Sequence, residues 1–527
     1  MSRGRSDKIV YKEYNQYEQW LLPPSLDEIV PENHMVRVVD STIKELNVMQ
    51  FFEKNQKGGG TSRYNPEMLT KILVYGYMTG ITSSRKLGKA VRENIYFMWL
   101  AANQKPDFRT INSFRSEKLK ETIEEIFIAV VKLLNQKGYI QLKNYFLDGT
   151  KIESAANKYT FVWKKSVEKN DAKLDENLRK LLKEIDEENK AENEKYGNLD
   201  LEEYQEHEKI TSEEIKSLVG KLKKRIEQIE EKDSENKKKL QQNVKKIENN
   251  YLQRKEKYEN YEKEFRGRNS FSKTDKDATF MRMKEDAMLN GQLKPGYNIQ
   301  VGTENRFVVG YDIFSNPTDT RTFKPHMENV QKRLGIKFET IITDAGYGSE
   351  ENYDWIEENG SVGVVKYGMY HKEHKKSFKK KTYNTENWQY DKKLKQYTCP
   401  QGNPVPLKTS VIKTNPSGYN QKIDIYQCEN CECCPTRNLC TKSEYGRMIQ
   451  RNENWLSHKK KVNEILNTEK YNELMKQRAV ECETVFGQIK GNLGFRRFKL
   501  RGNKKVAVEW GLLMIGQNVK ELKRQAK

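Results

Sequence analysis

No run of about 18 or more apolar residues occurs in this chain, which excludes a membrane-spanning helix on length alone. The opening text MSRGRSDKIVYKEYNQYEQW has no apolar h-region either, so secretion and membrane insertion are not expected, and a cytosolic protein is. Acid is in deficit: 75 Asp and Glu stand against 96 Lys and Arg in 527 residues, a formal net charge of +21. That balance points to a polyanionic partner, and nucleic acid fits better than a membrane. The plainer reading of the charge is an ordinary lysine-rich surface. At this length several domains are expected, because a single core rarely grows beyond roughly 250 to 300 residues.

The composition divides the chain. Residues 1–140 read as a helical domain: PEMLTKILVYGYM carries apolar residues at helical spacing, and Ser83 and Ser84 suit the cap of a second helix with Leu87, Val91 and Ile95 on one face. Arg85, Lys86, Lys89 and Arg92 would then be exposed, able to lie on DNA. Residues 167–265 hold no proline and long Glu/Lys runs, with apolar stripes at Leu174, Leu178, Leu181 and Ile185, at Ile215, Leu218, Leu222, Ile226 and Ile229, and at Leu240, Val244, Ile247, Tyr251, Tyr258 and Phe265. Three such stripes can bury one another, which predicts an inserted long-helix, coiled-coil arm.

Around the arm the text turns to strands, in two parts, 141–166 and 266–366. NYFLDGT reads as a strand ending at Asp148, GYNIQVGTEN and RFVVGYDIFSN as a hairpin, and KFETIITDAGYGS as a strand ending at Asp344. Helical text follows the hairpin, EENYDWIEENG supplies another helix, and SVGVVKYG a further strand. The order predicts an α/β fold, a mixed sheet flanked by helices, in which chemistry collects at the carboxyl ends of strands. If the strands of Asp148 and Asp344 are neighbours, the two carboxylates can converge on one divalent cation. A third acid is sought in QRAVECETVFGQIKGNLGFRRFKLRG, within residues 471–527, where Glu483 is the best candidate. Glu481 is its rival, and lies about 200° away around a helix, so both cannot face the same site. Carboxylates suit Mg²⁺ or Mn²⁺, and two such ions would activate a water or a 3′-hydroxyl and stabilise the leaving oxygen in phosphoryl transfer.

Four segments, FLDGTKIESAANKYTFVWKKS, DATFMRMKEDAMLNGQLKPGYNIQVGTEN, ITDAGYGSEEN and RAVECETVFGQIKGNLGFRRFKLRG, together resemble insertion-sequence transposases of the DDE type, with the insertion sequence 1182 family as nearest kin. The resemblance runs from about Tyr14 to Lys523 and implies an RNase H-like catalytic core in which Asp148, Asp344 and an acid of the final helix bind the metal ions. Relatives place that acid three residues before the Phe of VFGQIK, which is Glu483, with Lys490 seven residues further on, two turns along the same face. One departure is that Tyr471 lies seven residues before Arg478, where the related Tyr-Arg-Glu-Lys signature has three.

Residues 367–470 hold six of the seven cysteines, Cys399, Cys428, Cys431, Cys433, Cys434 and Cys440, within 42 residues. In a cytosolic chain such crowding argues for metal over disulfides. Cys431 and Cys434 form a C-x₂-C knuckle, with Cys440 and Cys399 as the expected partners of a structural Zn²⁺ and Cys428 as a substitute for either. Free thiols in a β-rich insertion are the alternative. Beyond the final acid, Arg496, Arg497 and Arg501 are placed to contact phosphate, together with Lys490, Arg478 and Lys151, while Trp163 is a candidate to stack on a displaced base.

These readings predict a transposase that binds terminal inverted repeats as a homodimer, cuts double-stranded DNA and joins 3′-hydroxyl ends to a target. A metal-dependent nuclease, or a DNA-binding scaffold without turnover, are the alternatives.

Overall fold

In the computed structural model, residues 25–53, 64–157, 159–196, 209–229, 234–283 and 292–526 are described. The first strand, β1, spans Asn144–Glu153. A two-stranded ribbon follows from β2 (Phe161–Trp163) and β3 (Ser270–Ser272), which close the base of the inserted arm. The main sheet is completed by β4 (Thr279–Arg282), β5 (Leu293–Glu304), β6 (Phe307–Phe314), β7 (Thr340–Thr343) and β8 (Val362–Val365). Its order is β4-β5-β1-β7-β8, with β6 also paired to β5. The strands β1, β7 and β8 are parallel, while β5 runs antiparallel to β1 and to β6.

The β5–β6 hairpin forms where the GTENR text predicts it. Asn305 and Arg306 take φ of 53° and 67°, the left-handed pair that a tight hairpin turn requires. One sequence expectation is corrected here: the first strand does not end at Asp148 but runs on to Glu153. The reason lies in its two neighbours. Pairing with β7 stops at Phe146 opposite Ile342, whereas pairing with the longer β5 continues from Phe146 to Glu153. Asp148 therefore sits just past the point where one edge of β1 loses its parallel partner.

The N-terminal helices have no interior of their own. Pro66–Met78 starts with Asn65, whose side chain accepts from the Glu67 amide at 2.7 Å, and with Pro at the first turn, then buries almost every side chain. It and the Leu119–Gln136 helix pack on the C-terminal helix Asn503–Gln525, and one apolar cluster runs from Val30 through the sheet to Val519. The helix Ser84–Glu93 presents Arg85, Lys86, Lys89 and Arg92 to solvent, as its spacing predicts.

The arm comprises helices Lys164–Tyr196, Ser212–Gln228 and Ser234–Lys246, the last continuing through a wider turn at Ile247–Leu252 into Gln253–Phe265. The three stripes bury one another in a separate apolar cluster that includes Leu178, Leu222 and Ile247. Inside it Lys255, with a fully buried side chain, donates to Asp171 at 2.8 Å and Asp175 at 2.7 Å. The ammonium of a buried lysine has to be paired in this way.

A second sheet, in the order β13-β12-β11-β10-β9, is built from β9 (Gln389–Asp391), β10 (Gln396–Thr398), β11 (Pro404–Thr414), β12 (Asn420–Gln427) and β13 (Met448–Arg451). This is the expected β-rich insertion. The tip of its β11–β12 hairpin docks on the Glu350–Glu358 helix, where Asn415 and Ser417 donate to Glu351 and Tyr419 to Asp354.

Candidate active site

The strand register brings the two aspartates to one end of the sheet. Asp148 lies on β1 and Asp344 directly follows the adjacent parallel strand β7. Asp148 is buried, takes a bond from the Gly149 amide on Oδ1 at 2.8 Å, and has Oδ2 3.4 Å from Arg478 Nη1. Asp344 is half-buried and caps the turn Ala345–Tyr347 by accepting from the Gly346 amide at 2.8 Å. Capping uses one carboxylate oxygen, so the structural role of this residue is compatible with a chemical one.

On the face of β1 opposite Asp148 stands Tyr347, wholly buried, its hydroxyl donating to Gln300 Oε1. Burial drives its hydroxyl pKa well above the ordinary value, and the carboxylates of Asp319, Asp148 and Asp344 push it further. It is therefore a neutral donor. Asp319 was not singled out by the sequence, yet its Oδ1 accepts from Asn298 Nδ2 at 2.8 Å and Gln300 Nε2 at 3.2 Å. Asn298 and Gln300 are fully buried and pair opposite Lys151 and Gly149, so this network lies under the strand on the face opposite Asp148. Thr320 donates to the Gly346 carbonyl at 3.0 Å and Asn352 to those of Thr320 and Tyr347, which ties the Asp319 turn to the Asp344 turn. The legible signal was two amide side chains two residues apart in an otherwise apolar strand.

The helix Glu469–Phe486 crosses this sheet end. Cys482 faces β1 and donates to the Phe146 carbonyl at 3.3 Å; burial, then Asp148, raises its thiol pKa. It is a packing residue. Glu481 is buried at the far end of β5, where its Oε2 accepts from the Arg306 amide at 2.7 Å, and burial raises its carboxyl pKa. Glu483 is exposed, five residues beyond Arg478 and so about 7.5 Å further along the helix axis. The structure thus brings Arg478 to Asp148 and leaves Glu483 on the outer side. Among the described residues, no three His, Cys, Asp or Glu side chains converge closely enough to hold a metal ion as they stand.

The other candidate cations divide by task. Arg497 donates to the Ser154 and Ala156 carbonyls at 2.9 and 2.8 Å, and Arg501 to the Ala155 carbonyl at 3.2 Å, so both brace the chain after β1. Arg496 is exposed, and Lys151 and Lys490 are half-buried. Trp163 packs beside Phe161 and Phe280 and lines a cleft of about 810 Å³, with Arg266, Arg268 and Arg321 among its walls. This cleft separates the arm base from the tip of the second sheet. Of the crowded cysteines, Cys433 is exposed and the other five line one small cavity.

Comparison with known protein families gives two matches. Residues 398–523 match the family described as "Transposase DDE domain", and residues 24–117 match "Transposase domain (DUF772)". Searches of curated proteins and of solved structures return no match. The two family matches support a DDE-type insertion-sequence transposase, a polynucleotidyl-transferase-type enzyme whose partner is DNA. Domains of the DDE type use divalent metal ions. Among the described residues no helix is long and apolar enough to cross a membrane.

Proposed function

We propose that this chain binds the terminal inverted repeats of an insertion sequence, cleaves the DNA by metal-dependent hydrolysis and joins the freed 3′-hydroxyl ends to a target, working as a dimer in which two ends are paired. The observation that carries the reading is the placement of Asp148 and Asp344 just past the last paired residues of the neighbouring parallel strands β1 and β7. Support for an RNase H-like core comes from the strand order, with β5 and, beyond it, β4 and β6 on one side of β1, each antiparallel to its neighbour, and the parallel strands β7 and β8 on the other. Membership of the insertion sequence 1182 family is part of the same proposal, as is a coiled-coil role for the arm.

In this reading Asp148 and Asp344 would hold two Mg²⁺ or Mn²⁺ ions, and Glu483, which faces outward here, would complete the set once the helix Glu469–Phe486 turns it toward them. Their oxygen donors match the preference of these hard cations, and the Arg478 guanidinium beside Asp148 marks a place where positive charge is favourable. The bound ions supply activation of the attacking oxygen and neutralise charge on the leaving one. The protein's own groups do the rest. Tyr347, Gln300 and Asp319 hold β1 from beneath, the Asp344 turn is locked to the Asp319 turn, and Arg478 screens the Asp148 carboxylate. We assign Lys151, Lys490, Arg496 and Arg501 to contact with the phosphate backbone, with Arg497 holding the loop that follows β1. Trp163, on the cleft wall, is placed to stack on an unpaired base.

The test is cleavage of a labelled duplex bearing the element's end in Mg²⁺ by wild type and Asp344→Asn. Removing one metal-binding carboxylate should cut the rate about 10³-fold or more. Binding should persist, because one neutralised acid barely changes a surface with net charge +21. Equal cutting by the variant would make Asp344 a turn cap and nothing more. Joining of a supplied 3′-hydroxyl end to a plasmid separates a transposase from a nuclease.

A further inference from the structure

The second sheet has little apolar interior. Its buried cluster consists of Trp388, Tyr397, Val405, Tyr426, Cys428 and Ile449. Units of fewer than about 70 to 80 residues with so small a core are usually fastened by disulfides or by a structural metal. Disulfides do not fasten this one, since all seven cysteines are free thiols. Cys399, Cys428, Cys431, Cys434 and Cys440 instead surround a single cavity of about 20 Å³. That is room for one water-sized occupant.

The backbone around the thiols is shaped for them. Cys399 opens the turn CPQGN, in which its amide donates to the Asn403 carbonyl and its carbonyl accepts from Gly402, both at 2.9 Å, with Gly402 at φ +79°. The Arg447 amide donates to Cys431 Sγ at 3.4 Å, which fixes where that sulfur sits. Gly446, at φ +81°, leaves space against this pair: a Cβ there would lie 3.1 Å from Cys431 Cβ, 3.3 Å from its Sγ and 2.9 Å from the Cys428 carbonyl oxygen. Cys428 and Cys431 form a C-x₂-C pair of their own, and Cys399, Cys431 and Cys440 pack against the cluster that contains Cys428. Cys434 is differently engaged, with its Sγ 3.5 Å from Thr436 Oγ1 and no place in that cluster.

We infer that Cys399, Cys428, Cys431 and Cys440 bind one structural Zn²⁺, with Cys434 outside the ligand set. Four thiolates in a closed tetrahedral set suit zinc and leave no open position for chemistry. The thiols ring the cavity without converging on its centre, so binding draws them in by side-chain rotation to Zn–S distances of about 2.3 Å. Each ligating thiol gives its proton to solvent, and no redox change is involved. The metal then joins the turn before β11, the end of β12 and the segment before β13. It thereby stiffens the sheet whose hairpin tip holds the Glu350–Glu358 helix beside Asp344. The Zn²⁺ is independent of the ions proposed at the aspartates.

The experiment is the metal content of the full chain, purified without chelator, by mass spectrometry of the elements. One zinc per chain is expected in wild type and in Cys433→Ser and Cys434→Ser, and under a tenth of that in Cys428→Ser and Cys431→Ser. Should the last two fail to fold, Co²⁺ exchanged into Cys434→Ser reports the site directly, and intense thiolate-to-cobalt charge-transfer absorption is expected. Zinc absent from wild type, lost with Cys434, or replaced by a disulfide in non-reducing peptide mapping overturns the inference. Because the readout is zinc, a failure here is separate from a failure of DNA cleavage.

Discussion

Arg478 Nη1 stands 3.4 Å from Asp148 Oδ2, so the first acid of the site meets a cation carried by the helix that crosses the sheet. The side chains are 18% and 12% exposed, which leaves the pair partly screened and worth about 1 kcal/mol at most. Under the proposed metal chemistry, an ion arriving at Asp148 would compete with this guanidinium. Arg478→Gln should therefore lower the Mg²⁺ concentration for half-maximal cleavage by up to about fivefold. Titrating Mg²⁺ in the cleavage reaction measures it, and a higher requirement in the variant would show that Arg478 helps to assemble the site.

Glu481 and Glu483 make opposite predictions. Glu481 is fastened to the Arg306 amide at the hairpin end of β5, away from the aspartates, whereas Glu483 is exposed and has no such bond. Glu483→Gln should reduce cleavage about 10³-fold while Glu481→Gln stays within about twofold of wild type. The reverse result would exchange the two residues. If neither variant loses activity, the third acid lies elsewhere, and Asp319→Asn is the next variant to assay.

Gly149 has no room for a side chain. A Cβ there would lie 2.7 Å from Gln300 Nε2, 2.8 Å from Asp319 Oδ1 and 3.0 Å from Tyr347 Oη, all members of a hydrogen-bonded set. Gly149→Ala is expected to cost about 1–3 kcal/mol by overpacking and to impair cleavage by shifting the neighbouring Asp148. Denaturant unfolding and single-turnover cleavage check the two effects. A variant with wild-type stability and rate would show that the network yields freely.

Lys255 tests the arm. Replacing it by Met leaves Asp175 buried without its cation and Asp171 with only Lys209 at 3.5 Å, a loss of about 3–5 kcal/mol. The arm has its own apolar cluster, so the damage should be local. Limited proteolysis should then cut within 164–265 much faster than in wild type, with duplex binding by the rest of the chain examined in parallel. Unchanged proteolysis would mean that the apolar stripes alone hold the arm.

Much of the chain was legible because its signals are local. The helical stripes of the arm, the GTENR turn, the alternation of β and α text after the arm and the crowded cysteines each depend on neighbours a few residues apart. The start of the Ser84–Glu93 helix after Ser83 and the four basic residues on its outer face were readable for the same reason, although the Ser83 side chain makes no capping bond. Asp148 and Asp344 could be named as a pair because both stand beside short apolar runs that read as strands.

What the order of residues could not settle depends on partners distant in sequence. The length of β1 was fixed by β5, about 150 residues later, which keeps it extended to Glu153 after β7 has stopped. Asp319 lies in a polar loop with no periodicity, and only the pairing of β5 with β1 puts Asn298 and Gln300 where they receive it. Cys428 is buried in the small apolar cluster and Cys434 lies outside it because β12 ends there, a matter of packing that C-x₂-C spacing leaves open. By itself the sequence determined the elements, the excess of positive charge and the chemical types available, since these follow from propensity, periodicity and composition. Only the tertiary structure decided which acids, amides and thiols meet, because each meeting is set by strand register and helix packing between segments far apart in the chain.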